Sequence, residues 1–204
     1  MPARRLLPCV LGAALLTACG DTTDTTDTTE PLIDAPSTTL TTPPTQALEL
    51  GEFDPEGDFQ VFDPCTEIPA EVLEAAGLGE SVGEPFYDGN RSAMCSFTAV
   101  DESRYPGVFS LVGDRNPRSR LEEQGLIIEG VDVEIPYGMY LHTLPGDLEK
   151  DCSVAFHTSR GRVVVMYTET LSTQTRQHFC NASLSVMDVI NTYLGENNGN
   201  PDRS

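Results

Sequence analysis

The chain has 204 residues and a formal net charge of −20, with 32 Asp and Glu against 12 Lys and Arg. This length is typical of one domain. Such acidity argues against nucleic acid as a partner, because it repels phosphate backbones. It is typical of a soluble, colloidally stable surface, and steering of a cationic ligand is the alternative.

Residues 1–18 have the pattern of a lipoprotein signal peptide. Two arginines precede an apolar segment of 13 residues, 6–18. A bilayer-spanning helix needs roughly 20 residues, so this segment is too short to be one. It ends in LTAC at residues 16–19, which resembles the bacterial lipobox. The resemblance implies cleavage before Cys19 and diacylglycerol on its thiol, with ordinary secretory cleavage after Ala18 as the alternative.

Residues 19–62 are predicted to be a lipidated cysteine followed by a disordered, acidic tether rich in Thr and Pro. Between residues 20 and 64 there are 11 acidic residues and no Lys or Arg. The repeat DTTDTTDTT at residues 21–29 cannot bury enough apolar surface to offset chain entropy. An extended chain of about 40 such residues would reach on the order of 100 Å. The aromatic stretch 53–62 is the exception, and we expect it to pack along the edge of the domain.

The globular extracytoplasmic domain is predicted over residues 63–195, with residues 196–204 as a disordered tail. Thr66 and Pro69 favour a short helix start, with an apolar stripe after them. Alternating or apolar runs predict strands, which cover residues 93–100, 107–113, 131–135, 139–144, 152–158 and 162–168. Val163, Val164 and Val165 are consecutive in the last of these, so we expect that strand to be central and covered on both faces.

Two further helices complete the predicted fold. Asn116 as N-cap and Pro117 as the first helical residue predict a short helix through Gln124. Apolar side chains at 3.6-residue spacing predict a long helix over residues 173–194. The expected fold class is therefore α+β, in which a mostly antiparallel sheet is packed by a short N-terminal helix and a long C-terminal helix.

The predicted domain contains four cysteines, Cys65, Cys95, Cys152 and Cys180. An even number outside the cytoplasm is typical of disulfides. Three pairings are possible, and we favour Cys65–Cys95 with Cys152–Cys180, each of which closes a loop of about 30 residues and ties a helix to a strand. A four-thiolate metal site is the alternative, but the sequence lacks a C-x2-C pair, and we expect no metal.

Three short motifs resemble a known family. They are DPC at residues 63–65 opening a helix, AAGL at 75–78 ending it, and CSF at 95–97 on a strand. Together with the lipobox and tether they resemble the actinobacterial envelope lipoproteins grouped as domain of unknown function 3558. The resemblance covers about residues 63–194, with Phe97 where the family pattern has Trp. It implies an envelope lipoprotein and supplies no functional residues.

The histidines are the main candidates for site chemistry. His142, His157 and His178 are the only three, and the sequence has no H-E-x-x-H and no G-x-S-x-G motif. Strand alternation places His142 on one face with Tyr140, and His157 with Ala155 on a face that we expect to be solvated. His178 is also expected to be solvated. A two-histidine ligand site or pH sensor is the alternative.

These observations favour a non-catalytic module that binds a ligand or partner of the cell envelope. We expect it to be held by the lipid at Cys19 on the extracytoplasmic side of the cell membrane, without a cofactor, a catalytic residue or a metal ligand. The expected site is a mostly apolar groove between the sheet and the C-terminal helix, without a cluster of perturbed titratable groups. Its candidate lining residues are Tyr87, Tyr105, Tyr137 and Tyr140. An envelope hydrolase and a structural or assembly lipoprotein are the alternatives, and the sequence does not identify the ligand.

Overall fold

The computed structural model describes residues 48–146 and 151–197, so Cys19, the predicted leader and most of the predicted tether and tail lie outside the described residues. Within this part of the chain, seven strands form one antiparallel sheet. They are β1 (Leu78–Ser81), β2 (Phe86–Asp88), β3 (Ser92–Ala99), β4 (Val108–Asp114), β5 (Met139–His142), β6 (Cys152–Thr158) and β7 (Gly161–Thr168). The accompanying helices are α1 (Pro64–Glu67), α2 (Ala70–Ala75), α3 (Arg118–Glu123) and α4 (Arg176–Asn197).

The strand order is β1-β3-β4-β7-β6-β5, and β2 lies beside β3 at the same edge as β1. All of these pairings are antiparallel. The short helices α1 and α2 pack near β3 and β1, and the long helix α4 packs against β6 and β7. The predicted α+β class, with a mostly antiparallel sheet and a long C-terminal helix, is therefore confirmed.

The sheet has two buried faces. The face beneath α4, here called the helix face, carries the main core, which includes Phe97, Phe109, Leu111, Val154, Val163, Val165 and Tyr167. The opposite face, here called the second face, carries a smaller core in which Val164 packs with Tyr140, Ala155, Leu121 and Leu126. Alternate valines of β7 thus enter different cores, which explains the uninterrupted apolar run and confirms that this strand is covered on both faces.

An N-terminal arm, residues 48–62, is packed on the domain. Leu48, Phe59, Val61 and Phe62 are buried. The arm passes so close to β4 that a Cβ added at Gly113 would lie 1.8 Å from the carbonyl oxygen of Phe62. The predicted domain boundary at residue 63 therefore falls too late, because the aromatic stretch belongs to the core and not to the tether.

Two arginines from elsewhere in the chain hold the arm by its backbone. Arg115 donates to the carbonyl oxygens of Pro55 at 3.1 Å, Gly57 at 2.7 Å and Phe59. Arg160 donates through Nε to the carbonyl oxygen of Gln60 at 3.0 Å. Its two Nη atoms also pair with Glu67 of α1, at 2.7 and 2.6 Å. Since the arm has little periodic pattern of its own, these distant side chains supply the contacts that fix its path.

Several predicted elements differ from the structure. Residues 131–135 do not form a strand, because the Val133 N–H donates to the Val131 carbonyl at 2.9 Å and the chain bends there. Strands β1 and β2 were not predicted, since residues 81–90 are all exposed and show no hydrophobic alternation. Asn116 does not cap α3, whose N-cap is Pro117.

The structure contains the predicted Cys152–Cys180 disulfide, with Cα atoms 4.9 Å apart. Cys65 and Cys95 are free thiols in this structure, so the second of the two predicted bridges is not formed in it. The two thiols nonetheless lie close enough to influence each other's pKa. Burial raises the pKa of both thiols, that of Cys95 to about 11, so both are held as the poorly nucleophilic thiol.

The Cys65–Cys95 pairing remains a prediction, and it can be tested with oxidised glutathione. We expect the two thiols to form a disulfide as glutathione disulfide is reduced to two glutathione molecules. The reaction should be faster at pH 9 than at pH 7, because the thiolate is the attacking species. Peptide mapping without reductant should recover Cys65 linked to Cys95, and the closed loop should raise the free energy of unfolding by ~3 kcal/mol. Recovery of both thiols unlinked after long incubation at pH 9 would contradict the pairing.

Candidate functional site

A cleft of about 410 Å³ lies at the outer edge of the sheet, where the arm, β5, β6, α3 and α4 meet. We call it the edge cleft. The side chains that matter most for its chemistry are Glu52, Arg118, Tyr137, Tyr140, His157 and Asn191. Its volume lies within the roughly 300–1,000 Å³ that is usual for small-molecule sites.

The edge cleft exists because β6 pairs with β5 along one part of its length and with the arm along another. Strand β5 pairs with β6 as far as Phe156, which lies opposite Met139. The arm takes over two residues later, where Leu50 forms a bridge with Thr158. The Gly51 N–H donates to the carbonyl oxygen of His157 at 3.1 Å, which fixes the arm beside β6. The space between the end of the arm pairing and the start of β5 is left open to solvent.

His157 stands at the back of this opening and is fully engaged by the fold. Its Nε2 accepts hydrogen bonds from the Arg118 N–H at 3.2 Å and lies 3.1 Å from the Tyr140 hydroxyl. Its Nδ1 lies 3.0 Å from a carboxylate oxygen of Glu52. These partners define a ring that donates from Nδ1 and accepts at Nε2. Because Pro117 has no side-chain cap to offer, this imidazole supplies the missing acceptor at the start of α3.

The predicted surroundings of His157 were partly wrong. His157 shares the second face with Ala155, as strand alternation indicates. Their partners on β7 are Arg162 and Val164, which lie on the same face. That face is not solvated here, and His157 is only 8% exposed. The difference arises because α3 and the arm cover this end of the sheet, which the strand pattern alone does not reveal.

A buried polar network continues from Tyr140 into the second face. Arg162 donates to both carboxylate oxygens of Asp114, at 2.9 and 2.6 Å. Another nitrogen of Arg162 lies 3.5 Å from Nε2 of His142, whose Nδ1 faces the Thr143 carbonyl at 3.3 Å. His142 is therefore the neutral tautomer that carries its proton on Nδ1.

Burial and Arg162 set the protonation of this network. Burial, followed by the positive charge of Arg162, lowers the pKa of His142 to about 4. Burial raises the pKa of Tyr140 to about 12, although Arg162 acts in the opposite direction. Burial would lower the pKa of Arg162, but Asp114 raises it above its ordinary value. We expected no cluster of perturbed titratable groups in the binding site; His142 and Arg162 are buried behind Tyr140 and do not line the edge cleft.

The network does not assemble an activated serine. Ser153 lies opposite His142 in the β5–β6 register and is completely buried, yet its hydroxyl has no hydrogen-bond partner among the described residues. The nitrogens of His142 face Arg162 and Thr143 instead. In the described part of the chain, neither His142 nor His157 has a serine hydroxyl and a buried carboxylate as its two partners. The carboxylate on His157 is Glu52, which is 86% exposed.

The tyrosines expected to line one groove are distributed over the molecule. Tyr137 and Tyr140 line the edge cleft. Tyr105 lines a different groove of about 330 Å³ between α2 and α4. Tyr87 lies on the edge strand β2 and is half exposed. The four tyrosines therefore do not line one groove between sheet and helix, and α4 contributes only Asn191 to the edge cleft where two of them lie.

His178 is not the solvated residue that the sequence pattern indicates. Its Nε2 lies 3.0 Å from Glu169, and its ring packs against Tyr105 and Tyr167. Burial would raise the pKa of Glu169, but hydrogen bonds from Ser172, Tyr167 and His178 hold it below its ordinary value. His178 thus joins the first turn of α4 to Glu169 through a polar contact.

Three cleft residues were missed by sequence analysis: Glu52, Arg118 and Asn191. Glu52 falls within the predicted tether, and the other two are ordinary exposed helix positions in the sequence. In residues 48–146 and 151–197, no group of three or more His, Cys, Asp or Glu is placed to hold a metal ion. Over the same ranges, no helix combines the length and apolar character that crossing a membrane requires.

The fold and cleft define the chain as an α+β domain with an open site at its sheet edge. A family model described as "Protein of unknown function (DUF3558)" matches residues 14–192. Because this match spans most of the chain, the protein belongs to the DUF3558 family. Neither the curated proteins nor the solved structures contain a match.

The buried, neutral His142 predicts a pH dependence of stability. Its pKa is about 4 in the folded protein against an ordinary value of 6.5, so the unfolded chain binds the proton more readily. Its contribution is complete above about pH 6.5 and is lost as the pH falls towards 4, by on the order of 3 kcal/mol. Urea unfolding of wild type and His142→Gln across this range should show a smaller decrease for the variant. Parallel curves for the two proteins would show that His142 is not buried in its neutral form.

Proposed function

We propose that this protein is a lipid-anchored, extracytoplasmic binding module of the cell envelope, and that the edge cleft receives its ligand or partner without catalysing a reaction. The observation that carries the proposal is that the histidine of the cleft is used by the fold while the tyrosine at its rim is not. His157 is fully used by the fold, whereas Tyr137 at the rim of the cleft is 99% exposed. A ligand-sized opening with unused aromatic and polar groups suits binding more than proton transfer.

The anchor part of the proposal rests on the sequence around Cys19. The LTAC motif at residues 16–19 follows an apolar segment, and a free thiol is what lipid transfer requires. The family match begins at residue 14, so it includes Cys19. Two or more acyl chains on one cysteine hold a protein stably at a membrane, whereas a single chain is marginal.

The non-catalytic part of the proposal rests on the state of the two strand histidines. A general base needs an accepting nitrogen directed at the proton that it removes. The accepting Nε2 of His157 is occupied by the Arg118 N–H and faces Tyr140. That of His142 is directed at Arg162, deep beneath the surface.

A serine hydrolase is the second candidate, and one observation favours it. The unpartnered Ser153 hydroxyl lies in register with His142, and a buried polar group without a partner invites a functional explanation. However, Ser153 is 0% exposed, so a substrate has no path to its oxygen in this structure. A structural or assembly role has no comparable observation in its favour.

The anchor is tested by replacing Cys19 with Ser in the native host. We expect the wild type to sediment with membranes and partition into detergent, and the variant to leave that fraction because it lacks the thiol to which lipid is attached. Cys65→Ser serves as the matched control, since that thiol lies in the folded domain. Membrane association of the Cys19→Ser protein equal to that of the wild type would remove the anchor from the proposal.

The absence of catalysis is tested with a fluorophosphonate probe on the purified full chain. We expect no labelling, because the Ser153 hydroxyl is buried and no histidine activates it. Ser153→Ala should leave the free energy of unfolding nearly unchanged, since this hydroxyl makes no hydrogen bond. Ser183→Ala is the matched control: Ser183 is equally buried but donates to the Cys152 carbonyl at 2.9 Å, so its loss should cost ~1 kcal/mol. Labelling of the wild type that disappears in Ser153→Ala would establish the hydrolase instead.

A further inference from the structure

We propose that the edge cleft binds a neutral oligosaccharide. The ring of Tyr137 would stack on a sugar face, and Glu52, Arg118 and Asn191 would bond to its hydroxyls. This inference rests on the proposed function, because it names the class of ligand for the same site.

Tyr137 is the first reason. It occupies the turn before β5, at 99% exposure, and neither its ring nor its hydroxyl contacts another side chain among the described residues. The buried tyrosines behave differently: Tyr140 and Tyr167 each pack against other rings and hydrogen-bond through their hydroxyls. Tyr137 therefore contributes nothing to the fold that would explain an aromatic ring at this place. Its electron-rich face suits the slightly positive C–H face of a sugar ring.

The polar groups at the mouth are the second reason. The Asn191 amide has no hydrogen-bond partner within the described residues. Glu52 uses one carboxylate oxygen for His157 and leaves the other open to solvent. Arg118 uses Nε for Glu122 at 2.8 Å, and its two Nη atoms have no partner in the described ranges. Together these groups offer both donors and acceptors, and a sugar hydroxyl needs both.

Charge is the third reason, because it favours a neutral ligand. Glu52 and Arg118 carry opposite charges on the same rim, so a ligand with one net charge would meet a like charge there. Polyanions are further repelled, since residues 65–204 hold 21 acidic against 10 basic residues. The Tyr140 ring is already covered by the Arg118 guanidinium, which lies 5.2 Å from its ring centre, so Tyr137 is the aromatic face of the cleft that is open to a ligand.

Size completes the case. The cleft of about 410 Å³ lies near the lower end of the range for small-molecule sites. One or two sugar units at the end of a chain fit that volume, and the exposed Tyr137 lies at the open rim where the rest of the chain would leave.

The experiment titrates the purified full chain with neutral trisaccharides of N-acetylglucosamine, glucose and mannose, and measures binding by calorimetry. At least one should bind to the wild type. Tyr137→Ala should weaken that binding about 5- to 10-fold, because it removes the stacking ring. Tyr137→Phe should bind within about twofold of the wild type, since it keeps the ring. Tyr87→Ala, which removes an exposed tyrosine on β2, is the matched control and should bind as the wild type does.

Two further probes separate this inference from the proposed function. The first is a zwitterionic dipeptide, and the second is a library of small neutral fragments observed by NMR at the cleft residues. If the dipeptide or a fragment binds at the cleft and no trisaccharide does, the sugar class is wrong and the binding module stands. If none of the probes perturbs the cleft, both are overturned. Trisaccharide binding that is equal in the wild type and Tyr137→Ala would overturn the placement of the sugar.

Discussion

The need to bury both faces of the β6–β7 hairpin governs the rest of the structure. Val163 and Val165 enter the core beneath α4, whereas Val164 enters the core on the second face. The first of these faces is covered by α4, with α1 and α2 beside it. The second face is covered in pieces, by the short helix α3, the segment after it that carries Leu126, and the N-terminal arm. The edge cleft is the gap that remains where these pieces meet.

Incomplete coverage also explains why the second face contains charge. Arg162 and Asp114 lie opposite each other on β7 and β4 and form a two-bond ion pair that is nearly buried. Removing one partner of such a pair is costly, because the other charge is then left in a poorly solvated place. Burial, followed by the same positive charge, keeps His142 neutral. Shifted pKa values often mark catalytic sites, but buried structural groups produce them as well, and here burial is the main cause for His142 and Tyr140.

The elements that the sequence predicts well are those with strong local periodicity. Helix α4 and strand β3 each bury one regular set of side chains, the β6–β7 hairpin is apolar on both faces, and the fold class follows from these elements. Strands β1 and β2 have no such signal because they form an exposed edge. Residues 131–135 have the signal without the strand, since a local hydrogen bond bends the chain at Val133. Hydrophobic periodicity predicts burial in a regular element, and it fails where a strand is exposed or where a partly buried segment is bent.

The candidate site was predictable only in part for a related reason. Tyr137, Tyr140 and His157 could be singled out by residue type and strand alternation. Glu52 could not, because its position depends on Arg115 and Arg160 holding the arm from elsewhere in the chain. Asn191 could not either, because a polar residue on an amphipathic helix is usually solvated. Contacts between residues far apart in sequence leave no trace in a local pattern.

The cleft separates side chains that the fold uses from side chains that it leaves free. His157 and Tyr140 hydrogen-bond to each other, and His157 also caps α3 and contacts the arm, so replacing either residue leaves buried groups unpaired. Tyr137 and the amide of Asn191 take no part in these contacts among the described residues. Substitutions of His157 or Tyr140 therefore lower the free energy of unfolding, whatever effect they have on ligand binding. Substitutions of Tyr137 or Asn191 leave the fold intact, so any effect that they have on binding belongs to the ligand.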